Sequence, residues 1–211
     1  MAATRGGSVG TEERDDYAYT GLHAYVLVHD VSTTTQDPDR NASKFIRQLQ
    51  DMSRPEGPVT AAVELAGTFK GLVHLRLDDG DVNGIQDQLA DALWDGVTHE
   101  LAYEGPVYMG PTQELIGLKR HICDIVAFVR VWVEKGRTRE VLGRLGDELG
   151  DRFHGASIVY GGCDILLALE GPTFKEVASA VFTKLQQIEG IVRTETSFTD
   201  YRRVPGHEPA G

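Results

Sequence analysis

The chain has 211 residues, 32 of them acidic and 21 basic, for a formal net charge of −11 and an isoelectric point near 5.0. A composition 41% hydrophobic and 25% charged is that of an ordinary soluble globular protein and excludes wholesale disorder, and the length suits two domains of about 100 residues. The acidic balance argues against direct nucleic-acid binding, because a protein that grips phosphates carries a basic patch. No apolar run approaches the roughly 18 to 20 residues that span a bilayer.

The opening stretch MAATRGGSVGTEERDDYAY has no apolar core of a secretory signal, so a cytoplasmic protein with a disordered tail over residues 1–18 is expected. Residues 22–31 (LHAYVLVHDV) are rich in β-branched and aromatic residues and predict a strand. Phe45, Ile46, Leu49 and Met52 then recur at helical spacing behind a possible N-cap at Asp39 or Asn41. Residues 59–65 and 72–77 predict two strands around a turn at Gly67, residues 81–94 a second amphipathic helix, and residues 97–103 a last strand. Residues 19–105 thus form one βαββαβ unit. Residues 106–124, with two Gly-Pro steps nearby and no period, predict a connector.

The same order returns over residues 125–204. A strand at 125–133 precedes a helix with Val141, Leu142, Leu145 and Leu149 on one face; strands at 156–160 and 165–169 flank the turn Gly161-Gly162-Cys163-Asp164; a helix at 174–188 and a strand at 191–198 complete the unit before a short tail at 205–211. One shift of the chain on itself places Gly67 on Gly161, Leu72 on Leu166 and Leu75 on Leu169, and another places Ala24-Tyr25-Val26 on Ala127-Phe128-Val129. Internal similarity of this kind signals a duplicated supersecondary unit. The expected fold class is α+β, two tandem ferredoxin-like units with antiparallel sheets. Strands such as AYVLVHDV and AFVRVWV are apolar beyond strict alternation, so both faces of each sheet are expected to be buried, one by helices and the other by the other half or by a second subunit.

Three stretches of the second half, AFVRVWVEKGRTREV, YGGCDILLALEG and IEGIVRTETSF, resemble the ligand-binding domain of the leucine-responsive/AsnC regulator family. Cys163 stands where that family usually has an aromatic, and Glu189 where it often has proline. The resemblance implies a non-enzymatic, stand-alone sensor in transcription regulation that lacks its own helix-turn-helix, forms homo-oligomers, binds an amino acid or related metabolite, and works with a separate DNA-binding partner protein. It also implies a site at Gly161, Gly162, Asp164, Thr194 and Thr196, with no cofactor and no metal. The chemistry suffices: Asp164 accepts from an ammonium, the glycines leave backbone N–H groups open to a carboxylate, and the two threonines share a strand face. Turn chemistry and β-propensity explain the same residues without a ligand.

The alternative is an enzyme or a haem- or metal-binding protein of the dimeric α+β barrel type, with a cavity between two sheets lined by His23, His29 or His74. The first two share a sheet face by their spacing of six. Against it, the sequence has no H-E-x-x-H, P-loop, dinucleotide-binding or G-x-S-x-G motif. Cys123 and Cys163 read as reduced structural thiols, and Trp94 and Trp132 as core or interface residues.

Overall fold

The computed structural model describes residues 22–33, 37, 39–54, 57–77, 82–109 and 125–200. The expected tails at 1–18 and 205–211, and most of the connector, lie outside them. The first half runs β1 (Leu22–Val31), α1 (Ala42–Met52), β2 (Val59–Glu64), β3 (Ala66–Gly67), β4 (Gly71–Leu77), α2 (Val82–Leu89) and β5 (Val97–Met109). The second runs β6 (Ile125–Val133), α3 (Thr138–Leu149), β7 (Phe153–Gly161), β8 (Ile165–Gly171), α4 (Phe174–Thr183) and β9 (Ile191–Asp200). Asn41 is the N-cap of α1, its side chain accepting from the Lys44 N–H at 3.0 Å. Short 3-10 turns at Ala92–Trp94 and Leu185–Gln187 finish the segments expected to be wholly α-helical. None of the helices among the described residues is long and apolar enough to cross a membrane.

The expectation of two tandem ferredoxin-like units, each with its own antiparallel sheet, is corrected by the pairing. All nine strands form one antiparallel sheet in the order β2-β4-β1-β5-β7-β8-β6-β9-β3. The physical reason is at the edges, where two separate sheets would leave rows of unpaired N–H and C=O groups. Here β5 runs past the end of the first half to Met109 and pairs with β7, while β3 pairs with β9. The first four residues of the expected connector therefore belong to a strand. Pro106, which lacks an N–H, falls inside a bulge between Glu104 and Val107, where the ladder does not require one. Since β3 follows β2 after the single residue Leu65, the last strand of the sheet joins the first and the sheet closes into a barrel.

Three cores result. Alternate residues of each strand face outward, against α1 and α2 with Phe45, Ile46, Leu49 and Ile85, or against α3 and α4 with Val141, Leu145, Val177 and Val181. The remaining residues face inward and form one shared core, to which the first half contributes Tyr25, Leu27, Val63, Phe69 and Leu72 and the second Val126, Phe128, Val159 and Leu166. The second face of each half-sheet is covered by the other half.

Both seams between the halves are closed by glycine, at the two positions that the internal repeat superposes. Gly67, at φ +142°, pairs with Ser197 of β9, and a Cβ there would lie 2.8 Å from the Thr196 carbonyl oxygen. Gly161 pairs with Ala102 of β5, and a Cβ there would lie 2.4 Å from the Leu101 carbonyl oxygen. Both obstacles are backbone, so a side chain forces the strands apart. Gly67→Ala and Gly161→Ala are each expected to destabilise the protein by about 1–3 kcal/mol. Gly143→Ala, in open space on α3, should be neutral or stabilising by up to about 1 kcal/mol. Urea denaturation of the three variants measures the contrast.

Candidate active site at one end of the barrel

The interior is apolar at its middle and charged at both ends. At one end, β1, β4 and β5 lie side by side and direct His23, His74 and Glu104 inward. His23 Nδ1 lies 3.2 Å from His74 Nε2, and these nitrogens lie 3.5 and 3.7 Å from Glu104 Oε2. The second carboxylate oxygen is occupied: Tyr25 Oη donates to Glu104 Oε1 at 2.6 Å and Ser157 Oγ, from β7, donates to it at 3.0 Å. The far nitrogen of His74, Nδ1, is 2.6 Å from Thr60 Oγ1 on β2. The Tyr25 ring stacks on the His74 imidazole with centroids 4.9 Å apart.

Glu104 is mostly buried, and desolvation pushes its pKa upward, but hydrogen bonding and charge from His74, the Tyr25 hydroxyl and the charge of His23 overcome this and hold it below the ordinary 4.5. Inside the barrel the carboxylate is thus held toward its ionised form, with both imidazoles against the same oxygen. His23 and His74 are partly exposed, at 28% and 18% of their side chains, so the centre is reached from solvent. At this same end of the strands, His154 and Glu170 form a second buried pair at 3.5 Å.

The opposite end is a seal. The Arg130 guanidinium, 7% exposed, pairs with Glu100 on one side and Glu195 on the other, and lies over the rings of Phe69 and Trp132 at 4.4 and 4.8 Å. His29 Nε2 meets Glu100 Oε1 at 3.0 Å, and Arg193 pairs with Glu195 and covers the other part of Trp132. Cys163 is buried and free here, and burial, working against the Arg130 charge, pushes its thiol up to about 12. It is therefore a packing residue and not a nucleophile.

His23 and His29 do share the inner face, as their spacing requires, but six residues of strand span roughly 20 Å, so they belong to opposite ends. The residues implied by the regulator resemblance fall elsewhere. Asp164 uses its carboxylate to accept the Val133 N–H at 2.8 Å. Thr194 accepts from Gln186 Nε2 at 3.2 Å, and Thr194 and Thr196 share the helix-covered face with Phe198, opposite to Glu195 and Ser197. Asp164 and Thr194 lie on either side of β6, flanking Val131. Gly161 serves the β5–β7 seam, and Gly162 lies against Glu100 and Arg130, its Cβ position 2.5 Å from the Glu100 carboxylate. Two shallow depressions of about 600 and 500 Å³ lie on the outer helical layer, one along Asp37–Asp51 and one along Leu89–Gly96, away from both ends of the interior.

The internal repeat shows that the histidine centre exists once. Tyr25, His23 and His74 superpose on Phe128, Val126 and Ala168, so their second-half counterparts are apolar. Glu104, Ser157 and Thr60 are the members that strand periodicity alone does not single out. The available signal was Tyr25, two residues from His23 and hence on its face.

Neither a family model nor a curated protein matches the chain in sequence. One solved structure that the chain resembles is that of an anthrone oxidase-like protein. Its crystal structure superposes with a TM-score of 0.52 at 10% identity, over 86% of this chain and 94% of that one. At that identity the likeness concerns the fold alone, and it agrees with one continuous architecture spanning both halves.

Because the folded-state pKa of Glu104 lies below its unfolded value, its contribution to stability is full above the unfolded pKa and fades as pH falls through the folded one. Glu104→Gln is expected to cost about 1.5–3 kcal/mol at pH 7, in the range of hydrogen bonds to a charged group. The gap between wild type and variant should narrow steadily below about pH 4.5. Denaturant unfolding across the acid range checks this, and a gap that widens on acidification contradicts it.

Proposed function

We propose that the chain is an enzyme that binds a small hydroxylated aromatic compound at the histidine end of the barrel and withdraws a proton from it. The observation that carries this reading is the Glu104 carboxylate, one oxygen against both imidazoles and the other locked by Tyr25 and Ser157. Such an arrangement is a proton acceptor of fixed orientation. His23, the more exposed imidazole, takes the proton, and Glu104 stabilises the imidazolium that forms. Locking of Glu104 by two donors costs no reorganisation when the charge moves.

The fold likeness to an anthrone oxidase-like protein suggests the substrate class. An anthrone carries a methylene group whose deprotonation gives an aromatic enolate, and an enolate of that kind is oxidised by dioxygen. The partly exposed imidazole faces of His23 and His74 give a flat aromatic ligand a surface to stack on.

Incubation of the purified protein with an anthrone in air is expected to accelerate formation of the quinone, followed by absorbance and oxygen uptake. His23→Gln and Glu104→Gln should each lower the rate about 10²–10⁴-fold, the usual worth of a positioned acid–base group, while His99→Gln, outside the centre, leaves it unchanged. Equal rates with and without protein would overturn the reading.

A further inference from the structure

We infer that His23, His74 and Glu104 form a binding site for one divalent first-row transition-metal ion. Three donor atoms, His23 Nδ1, His74 Nε2 and Glu104 Oε2, lie 3.2, 3.5 and 3.7 Å from one another. An ion about 2.1 Å from each of three nitrogen or oxygen ligands holds them roughly 3.0 Å apart on an octahedral face and roughly 3.4 Å apart in a tetrahedron. The observed triangle matches these spacings with side-chain adjustments of a few tenths of an ångström.

Spacing alone is also met by a hydrogen-bonded pair of histidines, so the surrounding contacts decide. Ligands of a metal are held by a second set of hydrogen bonds to the atoms that do not face the ion. Glu104 and His74 both show that set. Glu104 Oε1 accepts from Tyr25 and Ser157, which turns Oε2 toward the histidines, and Thr60 Oγ1 holds His74 Nδ1, which aims Nε2 at the same point. Two imidazoles and one carboxylate leave positions open for water or substrate, the donor set of catalytic rather than purely structural ions. The triangle also faces solvent through the partly exposed imidazoles, which gives an entry path.

The inference concerns the centre described above but does not depend on the substrate class proposed for it, since ion binding is read without substrate. When loaded, the ion supplies a positive charge at which an ionised hydroxyl is held, and the histidines then hold the ion rather than the proton.

The test uses the full chain, stripped with a chelator and titrated with Co²⁺ under anaerobic conditions, followed by the visible absorption of the bound ion, with Zn²⁺ competition read by calorimetry. Saturable binding of one Co²⁺ per chain is expected. His23→Gln and Glu104→Gln should weaken it at least 100-fold, and Tyr25→Phe, which keeps all three ligands, about 10–100-fold at unchanged stoichiometry. His99→Gln should bind as wild type, and circular dichroism confirms that each variant is folded. Absence of saturable binding by folded wild type, or equal binding by Glu104→Gln, overturns the inference. Saturable binding by a protein that does not oxidise anthrone upholds the inference while overturning the enzymatic reading, and oxidation by a protein that binds no ion does the reverse.

Discussion

Each half of this protein has a four-stranded sheet portion with helices on one face only, and burying the other face is the constraint on which the remaining structure depends. The two faces bury each other. Tyr25, Phe69 and Leu72 from the first half pack with Val126, Phe128 and Leu166 from the second in one interior core. Closing the sheet also shortens its free edges, because β5 meets β7 and β3 meets β9 at Ala66 and Gly67. The close approach at the seams explains why Gly67 and Gly161 must lack side chains.

Burying charge inside such a barrel favours pairing it, and the two ends pair theirs differently. At one end Arg130 is clamped between Glu100 and Glu195 and stacked on Phe69 and Trp132, an arrangement that closes the interior. At the other, a carboxylate with two firm hydrogen bonds faces two partly exposed imidazoles. The two halves share a frame and differ in the residues they place at its ends. Leu27 and His29 of the first half superpose on Arg130 and Trp132 of the second, so the seal is built mainly by the second half, and the histidine centre by the first with Ser157 reaching across.

Much of the secondary structure was legible in the sequence, because β-branched alternation and helical spacing are local signals. The strand at Ile125–Val133 has the expected bounds, and β1 does too. The burial of both faces of β1 and β6 was legible in the same way, from apolar residues at successive positions. What the sequence concealed was pairing between distant strands. Gly105-Pro106 reads as a break, yet a bulge absorbs the proline and β5 continues for four residues that join the halves. The same limitation governs the site. His23 and His74 are separated by 51 positions and Glu104 lies 30 beyond His74, so no motif spacing announces them; only the β4-β1-β5 order brings them together. The Gly-Asp turn is legible because it is local; Gly161 lies in the β5–β7 seam, and the Asp164 carboxylate accepts the Val133 N–H.

The shared interior predicts that neither half keeps its fold without the other. The chain has two tryptophans, and they report on different regions: Trp94 packs on Phe45 in the first half's outer core, while Trp132 stacks on Arg130 at the sealed end in the second. Urea unfolding of Trp132→Phe, followed by Trp94 fluorescence, and of Trp94→Phe, followed by Trp132 fluorescence, reads the two regions separately. After each curve is referred to its own variant's overall unfolding by circular dichroism, the account predicts that fluorescence and dichroism coincide in both variants, as a single cooperative transition requires. Fluorescence transitions separated from the dichroism curve, with one half melting while the other persists, would contradict the claim that the two half-sheets form one closed barrel around a common core.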